Sequence, residues 1–318
     1  MGARLIALVG MLLAAASSTA WAETLKIAIP QRGFWDTSIA EYAIREGFFK
    51  KVGLDIEVFY TAGGAETLTA VMSGSVDIAL ANGTLGVVGA YAKGAPIRVI
   101  SAQMTGANEV FWYVPANSSI RDLKDADGKT VAFSSPGSST NLILLALIKQ
   151  TGSKARPIPT GGLPATQTQV MSGQIDIGWA VPPFAVKDLA DGKIRIVAKA
   201  SDATALRDQT IRVNLANLNV LNTRRDAVTR FMRVYAETID WAYTNPKSID
   251  YFAQDAKVSR DVAQKSIDDF YPKAALQLTE IRGLQQTLDE ALETKRLTER
   301  KTPADMAGLF DIVYKPGK

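Results

Sequence analysis

The stretch Val71-Met72-Ser73-Gly74-Ser75-Val76-Asp77-Ile78 recurs as Val170-Met171-Ser172-Gly173-Gln174-Ile175-Asp176-Ile177. Each copy reads as the end of a helix, a glycine stop and the start of a strand. The neighbours recur as well. Gly63-Gly64 before the first copy matches Gly161-Gly162 before the second, and Gly94 with Ile97-Arg98-Val99-Ile100 matches Gly192 with Ile194-Arg195-Ile196-Val197. All these matches lie 97 to 99 residues apart. Solenoid repeats run to about 20–50 residues and need several copies, so two copies at this spacing read as two similar lobes.

Outward from the repeat, short strand-like runs alternate with helical ones, the pattern of an α/β fold with a mainly parallel sheet. Thr24 to Ile29 reads as a buried strand closed by Pro30, followed by a loop, Gln31 to Trp35. A helix capped by Asp36, Thr37 or Ser38 runs to about Glu46, where Gly47 can take the left-handed stop. Leu54, Ile56 and Val58 then alternate with Asp55 and Glu57 as a half-buried strand. Two further extended stretches, Val99 to Pro115 and Ile211 to Leu221, lie outside the repeat units. Read as paired crossover strands, they make residues 116–210 a second lobe inserted into a first lobe of 23–115 plus 211–318.

The carboxyl-terminal part is helical. Val228, Phe231, Met232, Tyr235, Ile239 and Ala242 form a 3.6-residue stripe ended by Asn245-Pro246, and Leu284, Leu288 and Leu292 form a shorter one. Thr302-Pro303 reads as the cap and first residue of a last short helix.

At the amino terminus, a short basic start (the Met1 amino group and Arg4), an apolar run from Leu5 to Ala16 and the small-residue end Ala20-Trp21-Ala22 have the order of a cleavable secretory signal over 1–22. The apolar run is shorter than the roughly 20 residues a spanning helix needs. Losing Arg4 with such a leader leaves 35 bases against 32 acids, a net charge of +3. That weak, scattered excess does not build a nucleic-acid surface. The chain has neither cysteine nor histidine. Disulfides, thiolate catalysis and a lipidated cysteine are therefore excluded, and the usual zinc ligands and general base are missing. No metal site or cofactor is expected. The glycine pairs are followed by neither GK[ST] nor GxGxxG, so they cradle no phosphate.

Ligands of open α/β sheets bind just beyond the strand ends. There the sequence places the loop Arg32 to Trp35, the turn Ala81-Asn82-Gly83-Thr84, and Trp179 to Pro183. Phe34, Trp35 and Trp179 offer flat apolar walls, Asn82 and Gly83 polar and backbone contact, and Arg32 a charge for an acid group. Gly64 stands at the corresponding turn before the first repeat. The strand Lys129 to Ser134 leads into Ser135-Pro136-Gly137-Ser138-Ser139-Thr140 and a helix over Leu142 to Ile148. Such a junction offers backbone N–H groups at the positive end of the helix dipole, together with several hydroxyls. One hydroxyl, from Ser138 or Ser139, suffices for a cap, so the excess points to a site.

The run Arg45-Glu46-Gly47-Phe48-Phe49-Lys50-Lys51-Val52-Gly53-Leu54-Asp55-Ile56-Glu57-Val58, the Gly63-Gly64 turn, Ser73 to Ile78 and Lys93-Gly94-Ala95-Pro96-Ile97 resemble the signature of periplasmic solute-binding proteins of nitrate, sulfonate and taurine ABC importers. That family also includes binding proteins for pyrimidine precursors. The resemblance runs from Thr24 to about Tyr271. It implies a type II-like, two-lobed periplasmic-binding-protein fold with a hinge of two crossover strands, closing over a small molecule. It carries ligand contacts to Phe34, Trp35, Asn82, Gly83, the loop Ser135, Gly137, Ser138, Ser139 and Thr140, and Trp179 to Pro182. It also implies a monomer that hands its ligand to a permease with a cytoplasmic ATPase. With Arg32 the one base in these loops, an organic acid or sulfonate suits the pocket better than nitrate. Fungal pyrimidine synthases of related fold consume a histidine, which this chain lacks. The competing readings are an exported enzyme working with carboxylates and a ligand-sensing partner of a membrane receptor.

Overall fold

The computed structural model describes residues 22–315, so the signal-like leader falls outside the described residues apart from Ala22. Five strands come from the outer parts of the chain: β1 (Glu23–Pro30), β2 (Leu54–Thr61), β3 (Ile78–Gly83), β4 (Ile97–Thr105) and, much later, β10 (Thr210–Asn217). They form one sheet in the order β2-β1-β3-β10-β4. β1 runs parallel to β2 and β3, whereas β10 is antiparallel to both its neighbours. Leu25, Ile27, Ala28 and Ile29 of β1 are buried, as a strand covered on both faces requires. The helices α1 (Ile39–Arg45), α2 (Phe48–Lys51), α3 (Gly64–Met72) and α4 (Thr84–Ala92) alternate with these strands.

The middle of the chain repeats the design. β5 (Phe111–Pro115), β6 (Thr130–Phe133), β7 (Arg156–Pro159), β8 (Gly178–Ala180) and β9 (Ile194–Lys199) alternate with α5 (Ser139–Thr151), α6 (Leu163–Met171) and α7 (Val186–Ala190). β8-β5-β9 form one ladder and β6-β7 another, joined by a parallel bridge between Val131 and Ile177. The joint order β7-β6-β8-β5-β9 is that of the first sheet, with β5 antiparallel where β10 is.

The repeat therefore encodes matched bonding as well as matched elements. Asp77 Oδ2 accepts the Lys26 N–H at 2.8 Å and Asp176 Oδ2 accepts the Thr130 N–H at 2.8 Å, each tying the repeat to its neighbouring strand. The Thr61 and Thr67 hydroxyls meet at 2.6 Å, as do those of Thr160 and Thr166. Gly74 and Gly173, just after α3 and α6, have φ of +74° and +78°, a conformation that side chains make costly. This is why the glycine recurs.

β5 pairs only with β8 and β9, so the chain passes between the sheets within 106–110 and not after Pro115. The long extended stretch is two strands broken at Gly106, whose φ is +75°. The return passage lies between β9 and β10, in 200–209. Leu218 to Leu221 are not extended. They open α8 (Leu218–Thr244), where the Asn217 side chain accepts the Asn219 N–H at 2.9 Å. Three more helices follow, α9 (Lys247–Ala256), α10 (Arg260–Phe270) and α11 (Leu284–Glu293).

Thr302-Pro303 begins a turn rather than an α-helix, followed by a 3₁₀ turn at Ala307–Leu309. The chain then reaches the outer edge of β4, where the Asp311 N–H bonds Val99 O at 2.9 Å and the Val313 N–H bonds Ile100 O at 3.1 Å. This covers a sheet edge that would otherwise present unpaired backbone.

Candidate functional site

The C-terminal ends of β1, β3, β6 and β8 converge on a cavity of about 50 Å³ between the two sheets. Phe34, Gly64 and Gly83 line it from the first half, and Ser138, Ser139, Thr140 and Trp179 from the second. A larger cavity of about 480 Å³ adjoins it, sharing Gly64 and Gly83. Asn82 and Gly137 belong to this larger space.

The other candidates lie elsewhere. Trp35 is wholly buried, its ring 5.3–5.7 Å from those of Tyr42, Tyr243 and Phe252, so it is core and not cavity wall. Adjacent residues on the turn face opposite ways, and Phe34 takes the cavity side. The Arg32 side chain is 62% exposed, 3.7 Å from Glu41 and stacked over Tyr60 at 4.2 Å, so its charge serves the surface. Ser135 Oγ is buried without a partner but lines neither cavity. Pro182 also stays outside, its carbonyl accepting the Tyr271 hydroxyl at 2.8 Å.

The hydroxyls of the serine loop are largely used within it. Ser138 Oγ caps α5 by accepting the Asn141 N–H at 3.2 Å, and it meets the Thr140 hydroxyl at 2.9 Å. Thr140 Oγ1 in turn accepts the Ser134 N–H at 3.0 Å. Helix α5 begins at Ser139, so Ser138 is its cap and Ser139 is left to face the cavity.

Sequence reasoning missed the charged centre. Arg212, on β10, reaches the cavity with 9% of its side chain exposed, against 1% for Asp36 and none for Glu109. Its Nη1 donates to Asp36 Oδ2 at 2.5 Å, its Nη2 to Glu109 Oε1, and its Nε to Ser139 Oγ at 3.0 Å. Asp36 Oδ2 also accepts from Gln103 Nε2 at 3.2 Å. One cation and two carboxylates thus share a buried space, with a formal charge of −1. The missed signal was a basic residue inside the apolar run Ile211-Arg212-Val213: all eight residues of β10 are buried, and a buried arginine demands acids. Burial, and secondarily the Asp36 charge, raise the Tyr235 and Tyr271 phenols, so both remain donors, Tyr235 to Asp36 O at 3.4 Å.

Two residues that line the cavity each carry a buried polar atom without a partner, the acceptor Asp36 Oδ1 and the donor Trp179 Nε1. Above them the halves touch backbone to backbone. The Gly86 N–H donates to Gly137 O at 3.1 Å, and a Cβ placed on Gly83 would come within 2.5 Å of the same oxygen.

Two lobes of one design, linked by two crossing segments and meeting over a buried polar cavity, define the periplasmic-binding-protein fold. The chain belongs to the family described as NMT1/THI5 like, whose model matches residues 38–249. It is 31% identical over 142 residues to a putative aliphatic sulfonates-binding protein of Escherichia coli (strain K12), a match covering 44% of each protein. The chain thus spans less than half the length of that curated relative. The alkanesulfonate-binding protein SsuA from Xanthomonas axonopodis pv. citri, bound to MOPS, shares the fold at a TM-score of 0.77 and 19% identity, over 91% of this chain and 98% of that one. The periplasmic nitrate-binding protein NrtA from Synechocystis PCC 6803 shares it at 0.69 and 14%, over 90% and 84%.

Proposed function

We propose that this protein is the solute-binding component of an ABC importer, capturing a small organic molecule of the sulfonate or carboxylate class, or one related to it, between its lobes. The observation that carries this reading is the convergence of Asp36, Arg212, Ser139 and Trp179 from both halves on one cavity, with a buried unpaired polar atom on Asp36 and on Trp179. A cavity of about 50 Å³ admits only a head group or a few waters while the halves touch, so the lobes part to load and close to hold. The segments 106–110 and 200–209 are the hinge, with lobes of 23–105 plus 210–315 and of 111–199. Phe34, Gly64, Gly83, Ser138, Ser139, Thr140 and Trp179 form the ligand wall.

The named relatives support binding without turnover. The acids at the site, Asp36 and Glu109, are ion-paired with Arg212. The leader directs export, cleavage after Ala22 releases a chain with no cysteine to lipidate, and a periplasm retains it. Among the described residues no helix is long and apolar enough to cross a membrane. A permease with a cytoplasmic ATPase completes the importer. The protein delivers its ligand as a monomer.

The test is to unfold the mature protein, wash away bound ligand, refold it, and screen sulfonates, carboxylates and pyrimidines by thermal shift. A true ligand at a hundred times its Kd stabilises the native state by about 2.7 kcal/mol. A flat response across the screen contradicts the reading.

A further inference from the structure

We propose that Asp36 makes this site selective for ligands that carry a cationic nitrogen, as an ammonium, an amidinium or a protonated heterocycle, and disfavours plain anions. This rests on the cleft being the solute site.

Charge favours such a ligand. Arg212 with Asp36 and Glu109 sums to −1 in a space almost closed to water. A buried excess charge is costly until a partner arrives, and a plain anion would double the excess. The guanidinium is also partly engaged: three of its five N–H donors already have acceptors, in Asp36, Glu109 and Ser139.

The pattern of unmet hydrogen bonds favours it too. Asp36 lines the cavity; its Oδ2 serves Arg212 and Gln103, while its Oδ1 is buried with no donor. A carboxylate oxygen in that position calls for an N–H⁺. Trp179 supplies the converse from the other lobe, an indole N–H with no acceptor. Phe34 and Trp179 add aromatic surface, which attracts cations. The matching ligand is compact, with its nitrogen cation on Asp36 and a carboxylate, sulfonate or carbonyl oxygen on Trp179.

Calorimetric titration of the refolded mature protein with matched pairs tests this: β-alanine against propanoate, γ-aminobutyrate against butanoate, aminopropanesulfonate against propanesulfonate. The amino member is expected to bind at least about tenfold tighter. In Asp36→Asn, which leaves Arg212 paired with Glu109, that preference should fall to less than about threefold through loss of the amino member's affinity alone. Hydroxypropanesulfonate, a neutral donor in place of the ammonium, keeps the test independent of any variant and should bind like propanesulfonate. Plain or hydroxyl members binding as tightly as amino ones overturn the selectivity while sustaining solute binding, and so does a preference unchanged in Asp36→Asn. No heat from these pairs, while thermal shift finds a ligand that carries no cationic nitrogen, overturns the selectivity alone; a ligand that carries one sustains it. Silence in both overturns the solute-binding reading with it.

Discussion

Gly83→Ala isolates closure from folding. Gly83 has φ −62° and ψ 123°, which alanine adopts without strain, so the substitution harms nothing locally. What it meets is the other lobe. The new Cβ would lie 2.5 Å from Gly137 O and 2.8 Å from Ser138 C and Ser139 N, where ordinary contact begins at 3.4 Å. The seam must open by about 0.9 Å at this point, or the closed form must absorb an overpacking cost of about 1–3 kcal/mol. If ligand is held only in the closed form, a cost near 2 kcal/mol lowers apparent affinity by about 30-fold. Opening the hinge relieves the clash in the unliganded protein, so its melting temperature should shift by much less than the binding energy does. Calorimetry gives the affinity, and small-angle scattering should show ligand contracting the wild type but not the variant. A graded series strengthens the test. Gly86→Ala, 3.0 Å from Gly137 O, should have a smaller effect, and Gly64→Ala, 3.9 Å from Ser138 Cβ, almost none. Wild-type affinity in Gly83→Ala, or a folding loss equal to the binding loss, would refute closure across this seam.

Arg212→Met strands Asp36 and Glu109 without a counter-charge and should cost about 3–5 kcal/mol in urea unfolding, with Asp36→Asn and Glu109→Gln added together restoring most of it; a single variant as stable as wild type sinks this account of the buried triad. Ser138→Ala removes the cap of α5 and should cost about 1 kcal/mol of unliganded stability, recovered by Ser138→Asp. Because Ser138 caps and Ser139 holds Arg212, combining Ser138→Ala with Ser139→Ala should lower both binding and unliganded melting; loss of binding alone would return both hydroxyls to the ligand. Burial tends to raise the Asp176 carboxyl, but the Thr130 N–H and hydroxyl and Lys129 outweigh it and hold the group below the ordinary aspartate value of 3.8. A carboxyl lowered in the folded state stabilises above its unfolded pKa and loses that contribution as pH falls through the folded one. Asp176→Asn should therefore be less stable than wild type at neutral pH, with the gap closing below about pH 4; a gap independent of pH contradicts it.

The architecture was legible because its signals are local and doubled. A glycine obliged to φ > 0 after α3 and again after α6, with an aspartate three residues on, marks the same joint twice. The cavity was half legible. The rule that ligands sit past strand ends leads to Phe34, Gly83 and Trp179, and the hydroxyl-rich helix start leads to Ser138 to Thr140, all of which line the cavity. It could not give the phase within a loop, so Trp35 was grouped with Phe34 although it packs against Tyr42 and Phe252. Nor could it find Arg212, whose partners Glu109 and Asp36 stand 103 and 176 residues away in the chain. Contacts of that range exist only once both crossing segments are folded. That the chain passes between the sheets before Phe111 is hidden for a related reason, because β4 and β5 differ in partners and not in composition.

The most direct measurement is the fate of the ligand. The refolded protein is saturated with the tightest ligand from the thermal-shift screen, incubated overnight, denatured, and its ligand content analysed by mass spectrometry. The expected result is one unchanged molecule per chain, fully recovered. A converted molecule, or none retained, contradicts capture by closure.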